Sequence, residues 1–128
     1  FMFISIACGA ISGFHALIAT GIPFAGHGDS AQFNRILAAV APEVAGIRRF
    51  GAASLDLAWL AAGRFDGYFE AGLQPWDVAA GILLVREAGG FVTDYRGGDR
   101  AVERAEIVAG SDQIHNKLHK LLAGALRA

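Results

Sequence analysis

Two carboxylates seven positions apart give this sequence its strongest chemical signal: Glu70 and Asp77, joined by Ala71-Gly72-Leu73-Gln74-Pro75-Trp76. A helix predicted over 76–88, entered after Pro75, puts Asp77 in the first turn, where the helix dipole favours negative charge. A carboxylate there can cap the helix. It can also point out of the helix mouth and ligate a hard cation such as Mg²⁺. Residue type and spacing leave both readings open. Ala79, Ala80 and Gly81 follow, small enough to let another element pack close.

Other residues carry weaker signals. Asp56 lies inside a second predicted helix, close to the small-residue turn Gly51-Ala52-Ala53, where it could buttress a site or sit at the surface. Arg48 and Arg49 precede that turn and could steer a phosphate, although strand arginines are more often exposed or salt-bridged. His115 and His119 are four apart on the last predicted helix, a spacing that can bind zinc. No third ligand is near and no acidic residue separates them, so they read as a solvated helix face. Cys8, the single cysteine, excludes an intramolecular disulfide framework and reads as a small core residue.

Composition sets the frame around these residues. The 128 residues carry 11 basic and 12 acidic side chains, a net charge of −1, which gives no electrostatic case for nucleic-acid binding. Apolar residues make up 54% and charged residues 18%, which excludes a disordered tail. The length suits one domain with a core of its own. No charged side chain precedes Asp29, a run that raises a membrane span. Gly9, Gly13, His15, Thr20, Gly21 and Pro23 interrupt it and no basic residue flanks its start, so it reads as two buried strands, 1–6 and 16–20, and the chain as cytoplasmic.

The elements that must position the carboxylates follow from periodicity and punctuation. A helix capped by Asp29 or Ser30 carries Phe33, Ile36, Leu37 and Val40 and ends near Pro42. A strand over 47–50 leads through Gly51 into a helix over 54–62, stopped by Gly63. An aromatic strand over 66–70 precedes the Asp77 helix, and strands over 91–94 and 106–109 flank an exposed loop, 95–105. A last helix, capped by Ser111 or Asp112, places Ile114, Leu118, Leu121 and Leu122 on one stripe. Alternating strands and helices predict an α/β fold, a layered αβα sandwich whose mixed sheet has helices on both faces. Ligands of such sheets favour strand-to-helix crevices, and Glu70 leads straight into one.

The segment Trp76-Asp77-Val78-Ala79-Ala80-Gly81 resembles a signature of the inositol monophosphatase family. Leu84-Val85-Arg86-Glu87-Ala88-Gly89-Gly90 downstream fits as well. So do Leu17 to Phe24, Gly51 to Ala58 and Ala61 to Glu70 upstream, in the family's order. The likeness runs from about residue 16 to about residue 122 and is nearest to the bacterial branch called extragenic suppressor protein. It implies that Asp77 ligates a Mg²⁺ ion on the leaving-group side and that Glu70 accepts hydrogen bonds from inositol hydroxyls. It also implies that the backbone of Gly51, Ala52 and Ala53 lines the inositol pocket, with Trp76 a packing anchor beside it.

The family's Asp-Pro-x-Asp-Gly-Thr signature and its upstream Glu-Glu segment do not occur in these residues. The chain therefore resembles the C-terminal half of the enzyme. Residues 16–128 form that domain and residues 1–15 an apolar segment without a clear match. The implied reaction is Mg²⁺-assisted hydrolysis of a phosphate monoester, inositol monophosphate or a similar polyol phosphate, with no covalent nucleophile. This half supplies substrate-pocket residues and one metal ligand, no catalytic group, and is expected to be inactive alone. The alternatives are another sugar or nucleotide phosphatase of the superfamily, or a non-catalytic regulatory protein of the extragenic suppressor branch. An apolar face left uncovered predicts a homo-oligomer.

Overall fold

The computed structural model describes residues 15–128. The strand expected over 1–6, and Cys8, lie outside them. The described chain runs β1 (Leu17–Thr20), α1 (Ser30–Val40), β2 (Gly46–Arg48), α2 (Ala53–Ala61), β3 (Gly67–Ala71), α3 (Pro75–Glu87), β4 (Phe91–Thr93), α4 (Ala101–Arg104), β5 (Glu106–Gly110) and α5 (Asp112–Arg127). Asp29 caps α1 by accepting from the Gln32 N–H at 2.9 Å. The α-helix ends at Val40, just before Pro42 as expected, and a 3₁₀ turn over Ala41–Glu43 follows it, with Pro42 tolerated in its first turn.

The strands form one mixed sheet in the order β2-β1-β3-β5-β4. β1 pairs in parallel with β2 and β3, whereas β5 is antiparallel to both β3 and β4. Side chains alternate between the faces. Ala19, Tyr68, Ile107 and Ala109 point into a core shared with Leu57 and Leu60 of α2 and with Val78, Ile82 and Val85 of α3. Ile18, Phe69 and Val108 point the other way, into a core with Ile36 and Val40 of α1 and with Leu118 and Leu122 of α5. Helices thus cover both faces, the layered αβα sandwich expected from the sequence.

Three local expectations change. The strand expected over 47–50 runs instead over Gly46–Arg48, paired with Leu17 to Ala19 of β1. Phe50 leaves the sheet and meets the rings of Trp59 and Phe65. The segment 95–105 is not simply an exposed loop: it contains α4, and Tyr95 and Ala101 are buried. The last helix does not present both histidines to solvent. His115 is only 7% exposed and pairs with the Thr93 hydroxyl at 2.8 Å, while His119 stacks parallel to it with ring centroids 6.2 Å apart.

Candidate functional site

The parallel strands β1, β2 and β3 end along one edge of the sheet, and three loops rise from it. Gly21 follows β1, Gly51 follows β2, and Gly72 follows β3 just after Glu70. Helices α2 and α3 both start at this edge, so their dipoles point positive ends at it. This is the strand-to-helix crevice in which open α/β sheets hold ligands.

Glu70 sits on β3 two residues after Tyr68, so both side chains rise on the α2/α3 face. The Tyr68 hydroxyl donates to Glu70 Oε2 in a short contact. The register Thr20↔Phe69 sets Gly21 beside Glu70 on the same face. A Cβ at Gly21 would overlap the Glu70 carboxylate, so the missing side chain is the space the carboxylate occupies. The Thr20 hydroxyl donates to the Phe69 carbonyl at 2.7 Å and ties the ends of β1 and β3 together.

Asp77 occupies the third position of α3. Its Oδ2 accepts from the Gln74 N–H at 2.9 Å, and Gln74 closes a capping box from the other side. The capping reading of Asp77 therefore holds, and it engages one oxygen only. Oδ1 is left for a further partner, so the metal reading remains compatible with it. Among the described residues no group of three or more His, Cys, Asp or Glu could hold a metal ion. Asp77 alone does not make a metal site: any ion beside it would need its other ligands from elsewhere.

Gly51 has a φ of +87°, a backbone conformation that L side chains rarely adopt. It opens the turn that Ala52 and Ala53 complete as α2 begins, with Ala52 exposed and Ala53 half-buried. The structure thus brings all five residues, Gly51, Ala52, Ala53, Glu70 and Asp77, to the same sheet edge. Trp76 is different: it is 78% exposed and anchors nothing within these residues. Its position on α3 points it away from the α2 seam, where Gly81 instead lets Leu57 approach.

Electrostatics adds two residues. Asp56, which the sequence left between surface and support, is 1% exposed, and neither carboxylate oxygen has a hydrogen-bond partner. Burial first, and then the charge of Glu70, push its carboxyl up to about 6, against the pull of Arg49. Glu70 is itself pushed up, chiefly by burial and also by Asp77, while Tyr68 and Arg49 pull it down. Arg49 is exposed, yet its charge acts on both carboxylates. Tyr68 and Gly21 received no role from the sequence. The two-residue period of the strand was the available signal for Tyr68; Gly21 needed the strand register.

The profile of the inositol monophosphatase family matches residues 11–128, further at both ends than the motifs alone reach. The chain is 50% identical over 107 residues to an inositol-1-monophosphatase of Rhizobium meliloti, covering 84% of this chain and 40% of that one. It is 49% identical over 98 residues to the Nus factor SuhB of Escherichia coli, covering 77% and 37%. The crystal structure of the extragenic suppressor protein suhB from Bartonella henselae superposes with a TM-score of 0.81 at 51% identity, over 84% of this chain and 41% of that chain. The chain therefore spans about two fifths of the length of these relatives.

Proposed function

The chain belongs to the inositol monophosphatase family, and on that premise we propose that it forms the polyol-recognition part of a Mg²⁺-dependent phosphatase acting on inositol monophosphate or a similar polyol phosphate. The observation that carries this reading is the convergence of Glu70, Asp77 and the Gly51–Ala53 turn at one sheet edge. Glu70, aligned by Tyr68 and given room by Gly21, accepts hydrogen bonds from ring hydroxyls. The Gly51-Ala52-Ala53 backbone lets the ring approach closely because no bulky side chain intervenes.

Asp77 Oδ1 is the oxygen this chain offers to Mg²⁺. Such an ion, when bound, neutralises phosphate charge and stabilises the departing alkoxide. The capping bond from the Gln74 N–H holds the Asp77 carboxylate in one orientation before any ligand arrives. The starts of α2 and α3 direct N–H groups and positive dipole ends toward the same crevice, which suits an anionic ester. The remaining ligands and the water-activating group come from the part of the relatives that this chain does not span.

A chimera joining residues 16–128 to the N-terminal part of the Rhizobium meliloti relative tests the reading. Mg²⁺-dependent phosphate release from inositol 1-phosphate is expected, and Asp77→Asn should reduce kcat about 100-fold or more. Release unchanged in Asp77→Asn overturns Asp77 as a metal ligand. A soluble chimera that releases phosphate from sugar or nucleotide phosphates alone replaces the inositol reading with another phosphatase. The Nus factor name of the Escherichia coli relative favours a second reading, a regulatory protein. RNA binding measured across salt distinguishes it, and the net charge of −1 gives such binding little electrostatic support.

A further inference from the structure

The two histidines of α5 make contacts that the proposed reaction does not use. His115 is buried, and its Nε2 pairs with the Thr93 hydroxyl of β4 at 2.8 Å. One turn on, His119 lies parallel to it, with ring planes 3° apart and centroids 6.2 Å apart. His119 Nε2 is enclosed and has no hydrogen-bond partner. The edge of its ring lies against Gly97 instead: a Cβ there would sit 3.0 Å from Nε2 and 3.1 Å from Cε1. α5 thus holds the end of β4 through one imidazole and the turn after it through the other. Tyr95 lies in that turn, buried, and lines a small cavity together with Gly21 and Ala71. Gly21 is the residue that gives Glu70 its room, and Ala71 follows Glu70 on β3.

We propose that His115 and His119 form an acid-released latch: neutral, they hold the turn 94–98 and Tyr95 against the sheet edge that carries Glu70, and protonated, they let that turn go. A proton on His119 Nε2 would face Gly97 with no acceptor, and a buried donor without a partner is costly. A proton on His115 would put a charge inside the seam between α5 and β4. Protons on both would add the repulsion of two stacked cations. Burial first, and then His119, push the His115 imidazole down, against the pull of Asp112 in the first turn of α5. The other charged groups around the seam do not offset this. Asp94 is committed to the Arg96 and Gly98 N–H groups and to Arg104. Glu106 of β5 accepts from the Tyr95 N–H. β3 turns Tyr68 and Glu70 to the opposite face of the sheet. Arg35, the one charged residue of α1, is exposed, as are Lys117 and Lys120 of α5. The purpose of the latch, a substrate affinity that falls in acid, rests on the polyol-phosphatase reading; its physical basis does not.

The deciding experiment needs no substrate. Amide hydrogen exchange of the 128-residue chain, corrected for the intrinsic rate at each pH, follows the turn directly. The amides of Arg96, Gly97 and Gly98 are expected to lose protection about tenfold between about pH 7.5 and about pH 5, while those of α2 keep theirs. His119→Phe keeps a ring beside Gly97 that takes no proton and should remove most of that loss; His119→Gln should do the same without a ring. Protection that does not change with pH, or that falls equally in the unaltered chain and both variants, overturns the proposal. The functional arm uses the chimera. From about pH 7.5 to about pH 5.5, KM for inositol 1-phosphate should rise about threefold more in the unaltered chimera than in His119→Phe, a comparison in which the substrate's own titration cancels. Equal rises overturn the link to Glu70. An inactive chimera with acid-released exchange sinks the phosphatase reading alone. An active chimera with pH-independent exchange sinks the latch alone.

Discussion

Gly21 and Glu70 share one space: the carboxylate at the end of β3 fills the volume that any side chain at the end of β1 would take. The consequence is a direct test. Gly21→Ala should displace Glu70 from Tyr68, at a cost of about 1–3 kcal/mol in urea unfolding. In the chimera it should raise KM for inositol 1-phosphate more than it lowers kcat, if the displaced group binds the polyol as proposed. An unchanged KM would separate Glu70 from the polyol.

A second glycine sets the spacing of the two helices that bear the site. Glycine inside a helix normally costs about 1 kcal/mol relative to alanine, so Gly81→Ala should stabilise α3 on propensity alone. The added methyl would instead sit 2.5 Å from Leu57 Cβ on α2. Overpacking of about 1–3 kcal/mol outweighs the propensity gain. Thermal unfolding of Gly81→Ala should therefore show a lower Tm, whereas Gly124→Ala on α5, where nothing lies near, should not.

Stability should depend on pH through two buried groups of opposite sign. Asp56 has its folded-state pKa raised, so it favours the folded chain at low pH, and that contribution is lost as pH rises through about 6. Asp56→Asn should remove this loss, gaining at most about 3 kcal/mol above pH 7. His115 is pushed down, by burial first and then by His119, so its contribution is present above the unfolded value and lost as pH falls through the folded one. His115→Asn should flatten the acid side of the profile. Urea midpoints measured from pH 4 to pH 8 check both.

Asp94 organises the segment between β4 and β5. It is buried, accepts from the Arg96 N–H at 2.8 Å and the Gly98 N–H at 3.0 Å, and pairs with Arg104 Nε at 3.2 Å. Burial pushes its carboxyl up, but those N–H donors and Arg104 outweigh it and the net shift is down. Asp94→Ala should destabilise by about 3–5 kcal/mol, since it orphans the donors and the Arg104 charge together. Limited proteolysis should then cut first within 95–105.

Trp76, Leu83 and Leu84 are exposed along one stripe of α3, with Ala79 and Ala80 between them. A second copy of the chain covering this stripe is expected to raise the mass in light scattering above 13.4 kDa. Leu83→Glu should return the mass to that of a monomer. A monodisperse monomer of the unaltered chain would count against self-association.

The sequence by itself determined most of the elements, though not α4, which lies within a segment expected to be an exposed loop. Alternating strands and helices, the Asp29 cap, the turn at Gly51 and the helix opening at Pro75 are local properties, set by backbone preference and periodicity within a few residues. The placement of Glu70, Asp77 and the Gly51–Ala53 turn at strand-to-helix junctions was legible for the same reason, whereas the roles expected of them came from the family resemblance. Tertiary structure alone decided the rest. The bounds of β2, Gly46–Arg48, are those of its pairing with β1, a contact between distant parts of the chain. The burial of Asp56 and His115 follows from which element covers them, and hydropathy of one residue does not record its cover. The exposure of Trp76 follows from the seam that Gly81 and Leu57 choose for α3. The pairing of Gly21 with Glu70 joins residues 49 positions apart, and only the strand register brings them face to face.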